Sequence, residues 1–121
     1  MNERGEGLDR LSMVIAVVPR GEGEAAAALM RGLGSLMNLV LAGSGTAKSE
    51  MLDLLGLADS RRDVVLSGVA SARMAEVLSA LRDGLRLDQP GRGIAFSVPM
   101  RSVAGRHSYD LLYRAFNGEE Q

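Results

Sequence analysis

The run Ser12 to Val18, SMVIAVV, is apolar on both sides of any strand it forms, and that is the tightest constraint in the chain. Successive side chains of a strand point to opposite faces, so Met13, Ile15 and Val17 share one face while Val14, Ala16 and Val18 share the other. Pro19-Arg20-Gly21 follows and ends the run in a turn. An antiparallel sheet with one face in water alternates apolar and polar residues. This strand does not, so both of its faces need cover. A bare apolar sheet face is a large adhesive patch, and further copies of the chain are the economical cover, which makes an oligomer the expectation. The alternative is that the tail, Tyr109 to Phe116 (YDLLYRAF), folds back as a helix across the second face.

The rest of the chain supplies partners for that strand. Glu22 to Leu33 (EGEAAAALMRGL) has strong helix propensity, with Ala25, Leu29 and Leu33 on one face, and Gly34 stops it. Asn38 to Ala42 (NLVLA) is a short second strand running into Gly43-Ser44-Gly45-Thr46, where a loop begins. Asp63 to Val69 (DVVLSGV) is a third strand. Ser71 is placed to cap a helix in which Met74, Val77, Leu78, Leu81 and Leu85 keep one face. After Leu87-Asp88-Gln89-Pro90-Gly91-Arg92-Gly93, Ile94 to Val98 (IAFSV) reads as a fourth strand closed by Pro99. Gly23 to Leu33 laid over Ala75 to Leu85 matches at Glu, Ala, Leu, Gly and Leu, as a duplicated unit would. The order βαββαβ is an α+β, ferredoxin-like fold: two right-handed crossovers set two helices on one face of a four-stranded antiparallel sheet. This domain is expected over 11–105, after a flexible polar segment 1–10 and before a tail, 106–121, that could hold a short helix.

Composition narrows the function classes. With 121 residues there is room for one core, and a net charge of -1 with both signs interspersed offers no attraction to phosphate backbones or anionic membranes. Phe96 is the sole aromatic in a predicted strand, which argues against base stacking on the sheet. The absence of cysteine removes disulfides and thiolate chemistry and fits a reducing, cytoplasmic setting. Met1 to Arg10 has no apolar leader core, and no run approaches the roughly 18 apolar residues of a membrane span. His107, the only histidine, has no companions for a metal site and reads as a surface residue. Glu119-Glu120, and Asp59 with Asp63, read as solvated charges. No nucleophile and base stand in a recognisable set, so an enzyme is not expected.

The glycine loops in this strand order resemble those of the PII nitrogen-regulatory family, from about Leu11 to Gly105, and the string DQPGRGIAFSVPMRSVAG looks like its divergent bacterial PII-like branch. Gly43-Ser44-Gly45 is similar to the Gly-x-Gly element that leads into that family's T-loop, here 46–62. Gly91-Arg92-Gly93-Ile94 is similar to its Gly-Asp-Gly-Lys B-loop, matching at two of four positions. The resemblance implies a cytoplasmic homotrimer, a signalling protein of nitrogen metabolism that regulates a transporter or metabolic enzyme. It implies ATP or ADP between subunits, adenine near the Gly-x-Gly element and phosphates near the B-loop. Glycines let backbone N–H groups approach phosphate, and arginine offers a forked, permanent charge. Arg92 is the leading phosphate contact, with Arg101 after the last strand and Arg106 near the expected C-loop behind it. The plain alternative is that Pro90 to Gly93 is only a tight turn and Gly43 to Gly45 only a loop start. Ile94 stands where the B-loop lysine would, apolar and expected to face a core. Both tyrosines, Tyr109 and Tyr113, lie in the tail, so uridylylation of the T-loop is not expected. Ser49 to Leu57 (SEMLDLLGL) reads as a short apolar helix, capped by Ser49 and ended at Gly56, that packs on a neighbour or docks into a partner. A different class of function is a ligand-free structural or interaction module on the same trimer.

Overall fold

The computed structural model describes residues 10–35, 37–44 and 61–116. Strand β1 (Leu11–Pro19) leads to helix α1 (Gly23–Gly32) and strand β2 (Asn38–Ser44); strand β3 (Arg61–Ala70) leads through a 3-10 turn (Ser71–Arg73) to helix α2 (Met74–Gly84) and strand β4 (Ile94–Pro99). A third helix, α3 (Arg106–Phe116), ends the described chain. The sheet order is β2-β3-β1-β4 with every neighbouring pair antiparallel, which is the ferredoxin-like βαββαβ arrangement. The expected segment 1–10 (apart from Arg10), Gly45, the T-loop as far as Ser60 with its Ser49–Leu57 stretch, Asp59 and Glu119-Glu120 lie outside the described residues.

One face of the sheet carries the core. Val14, Ala16 and Val18 of β1 and Val65 and Val69 of β3 are buried against Ala26, Ala27 and Met30 of α1 and Val77 and Leu81 of α2. The α2 face is the one its periodicity predicts. The α1 face is so only in part: Leu29 and Leu33 pack against the core, but its buried residues are Gly23, Ala26, Ala27 and Met30, and Ala25 is exposed. In an alanine-rich helix hydrophobicity hardly distinguishes the faces, and the close approach at Gly23, where a Cβ would stand 2.7 Å from Val40 Cγ1, turns that side of the helix to the sheet. Ser71 does not cap α2 either. The 3-10 turn puts Arg73 at the helix start with no side-chain cap, and the Ser71 hydroxyl instead meets the Ser12 hydroxyl at 2.8 Å.

The opposite face is apolar as well, and largely open. Register places Met13, Ile15 and Val17 beside Gly68, Leu66 and Val64, flanked by Leu39 and Leu41 of β2 and by Val98, Phe96 and Ile94 of β4. Leu39 is 52% and Ile94 57% exposed. Ile94 therefore does not face the core of the chain, contrary to the sequence expectation: it pairs with Val17 and has that residue's orientation. The tail does fold back as a helix, but it covers only one end of this face. Tyr109 packs on Leu11 with Met100, Val103, Leu112 and Tyr113 around them, and the Leu11 amide donates to the Tyr109 hydroxyl at 2.9 Å.

Candidate functional site

Four chain segments converge where β1 and β2 end and β3 and β4 begin. The turn between β1 and α1 is held there by Asp63, the third residue of β3, whose Oδ2 accepts from the Gly21 and Gly23 amides at 2.9 Å each. Those amides belong to the turn and first residue of α1, where N–H groups lack helical partners and a carboxylate is favoured. Arg20 stands 3.3 Å from Asp63 Oδ1. Its guanidinium also donates to the Gly43 carbonyl at 2.8 Å and the Arg62 carbonyl at 3.2 Å, so one side chain ties the end of β2 to the start of β3. Asp63 is 8% exposed. This corrects its reading as a solvated acid: Asp63 pairs with Val18 on the core face of the sheet, where the turn before α1 closes over its carboxylate.

The loop before β4 lies at the same end. Gly91 and Gly93 have φ of 78° and 104°, and the Arg92 amide donates to the Gln89 carbonyl at 3.3 Å, so the segment is a tight turn whatever else it does. A Cβ on Gly93 would stand 2.0 Å from the Val17 carbonyl oxygen; only glycine lets the loop pass this close to β1. Arg92 projects toward the start of α1. Its Nη1 donates to Glu22 Oε2 at 2.9 Å, its Nη2 to Glu22 Oε1, and its Nε to the Leu85 carbonyl at 3.2 Å. The hydrogen bond to Glu22 holds the guanidinium above its ordinary range, so Arg92 keeps its charge throughout the useful pH range. Beside the loop a groove of about 430 Å³ runs between α2 and the free edge of β4, lined by Leu78, Ser79, Arg82, Asp88, Gly93 and Ile94 among others.

The predicted site residues fall into two groups. Gly43, Ser44, Gly91, Arg92 and Gly93 share one end of the sheet. Arg101 and Arg106 follow β4, whose last residue pairs with Ser12 at the start of β1; they stand at the far end, roughly 25 Å away along the strand at about 3.3 Å per residue. Arg106 belongs to a cluster on the tail, 3.2 Å from Asp110, which Arg10 also meets at 2.9 Å while stacking over the Tyr113 ring. The hydrogen bond from Arg106, and then Arg10, holds the Asp110 carboxyl below its ordinary value. Arg20, Glu22 and Asp63 are residues of this end of the sheet whose contacts sequence reasoning misses. Arg20-Gly-Glu-Gly between a strand and a helix signals a polar turn, but nothing in that string says that Arg92 is its partner. Among the described residues no group of three acidic or histidine side chains could hold a metal ion, His107 is exposed, and no helix is long and apolar enough to cross a membrane.

No family model matches the chain, and no curated protein matches its sequence. Solved structures do. CPII from Thiomonas intermedia K12, bound to ADP, AMP and acetate, is 14% identical and superposes with a TM-score of 0.58 over 78% of this chain and 89% of that one. The PII protein of Arabidopsis thaliana bound to citrate gives 17% identity and a TM-score of 0.56, covering 81% and 85%. The GlnK–ATP complex of B. subtilis gives 16% and 0.52, covering 74% and 80%. At these identities the likeness is one of backbone: the chain has the ferredoxin-like fold in the form shared by PII and PII-like proteins.

Proposed function

We propose that this chain is a PII-like regulator that binds an adenine nucleotide, ADP or ATP, between subunits of a homotrimer and so controls a partner protein, a transporter or a metabolic enzyme. The observation that carries the reading is the division of the basic residues between the two ends of the sheet. Arg92 and its glycines sit at one end, Arg101 and Arg106 at the other, and no single anion spans that separation within one chain. They meet only if one subunit's far end abuts another's near end. The open face of β1 to β4 supports the same arrangement, since an apolar layer of this extent is stable in water only when covered. Structural neighbours bound to ADP, AMP or ATP support the ligand class. The end of β2 and the start of β3 are tied by Arg20 at the same end of the sheet as Arg92; an effector there that shifts this tie is the basis for a regulatory role.

A second reading has its own support. Arg92 is already filled by Glu22, as a loop that has lost its ligand would show, and the trimer would then be an interaction module. Calorimetry with ADP and ATP separates the two. The sensor reading predicts saturable binding that Arg92→Ala weakens at least tenfold, on the order of one charge-assisted contact, while the unfolding midpoint of the free protein stays within a few degrees. Absence of heat with both nucleotides would favour the module.

A further inference from the structure

The loop arginine that the sensor reading assigns to phosphate already has its fork engaged. Both terminal nitrogens of Arg92 lie against the Glu22 carboxylate in the fork-to-fork geometry that arginine adopts with carboxylate or phosphate, and its Nε is held by the Leu85 carbonyl. The two side chains are 20% and 33% exposed, so the pair is partly withdrawn from water and its attraction is less screened than at a fully exposed site. Glu22 is also fixed in place, because the residues on either side of it, Gly21 and Gly23, have their amides held by Asp63.

We infer that Glu22 is an internal stand-in for the effector's phosphate: it occupies the Arg92 fork in the unliganded protein, and an anionic effector binds by displacing it. This rests on the reading above that Arg92 takes the anionic part of the effector, and it assigns to Glu22 the control of effector affinity. The geometry makes it specific. A planar carboxylate and a phosphate present the same pair of oxygens to a guanidinium, so both cannot use the fork together. A neutral ligand makes no demand on Arg92 and is indifferent to Glu22.

The test uses the full chain, with ADP and adenosine as probes in isothermal titration calorimetry. Glu22→Gln keeps shape and removes charge. It is expected to bind ADP about tenfold more tightly than wild type, the scale of one charge-assisted hydrogen bond no longer in competition, while any affinity for adenosine stays unchanged. Glu22→Ala should follow it. Unchanged or weaker ADP binding by both variants overturns the inference, and so does an equal gain for ADP and adenosine, which would report general loosening. If Arg92→Ala loses ADP while the Glu22 variants match wild type, the effector site stands and the stand-in role falls; if wild type and the Glu22 variants all fail to bind ADP, both fall. Should the variants not fold, carbon NMR on labelled wild type decides the same point: the Glu22 carboxyl signal moves on addition of ADP and not of adenosine, and a signal indifferent to ADP refutes the displacement.

Discussion

Replacing Gly93 by alanine separates what the backbone demands of this loop from what a ligand demands. The new Cβ would stand 2.0 Å from the Val17 carbonyl oxygen, 3.0 Å from its carbon and 3.1 Å from the Val18 Cα, all of them backbone atoms of the central strand. No side-chain rotation relieves such contacts; β1 and the start of β4 must move apart where Val17 pairs with Ile94. The φ of 104° adds a conformational penalty of its own. Gly105, with φ of 98° and nothing within 4 Å of a Cβ, isolates that second contribution. A non-glycine residue at positive φ costs about 1–2 kcal/mol, offset in part by the stiffer unfolded chain. Forced overpacking adds about 1–3 kcal/mol. Gly105→Ala should therefore lose about 1 kcal/mol and Gly93→Ala about 3 kcal/mol or more, a large part of the ~5–15 kcal/mol that holds a typical domain together. Urea unfolding followed by circular dichroism, without nucleotide and at one protein concentration, measures both. Equal losses within ~0.5 kcal/mol, the usual scatter of a substitution without strain, would show that the loop does not press on β1 as described.

Two further predictions concern the tail and the open face. Asp110 is held below its ordinary carboxyl value of 3.8 by Arg106 and then Arg10, so the tail's ionic latch is complete above that value and is lost as pH falls through the lower folded one. Tyrosine fluorescence from Tyr109 and Tyr113 should therefore report loosening only below about pH 4, and in Asp110→Asn this acid step should disappear; a step of equal size in the variant would assign it to another group. Phe96→Glu puts a charge in the middle of the open face, where Phe96 pairs with Ile15 and is 41% exposed. It should reduce the assembly to single chains and leave the circular dichroism of the fold intact; an unaltered sedimentation coefficient would mean that copies do not meet on this face.

The framework was legible because strands and helices differ in period and because the chain uses that difference cleanly. Ser12–Val18 became β1 with one residue more at each end, and Val77, Leu81 and Leu85 turned inward as their spacing requires. What stayed hidden has physical reasons. Four consecutive alanines carry no sidedness, so the buried face of α1 was set by distance to the sheet. Asp63 was placed in the third strand, but nothing local shows that its carboxylate is buried, because the Gly21 and Gly23 amides it accepts from lie about 40 residues earlier. At Gly93 the glycine was visible but its reason was not, since the Val17 carbonyl it passes lies on the neighbouring strand, far back in the chain. Arg92 stands out in the sequence between its glycines, whereas its carboxylate partner lies 70 residues away, a pairing that no local pattern encodes.

Native mass spectrometry in the presence of ADP tests the central claim, that copies of this chain assemble around an effector site shared between them. The expected species has three times the 12.8 kDa chain mass, carries up to three nucleotides and loses them in Arg92→Ala. A single chain mass, or a trimer that takes up no ADP in wild type or in Glu22→Gln, would contradict it.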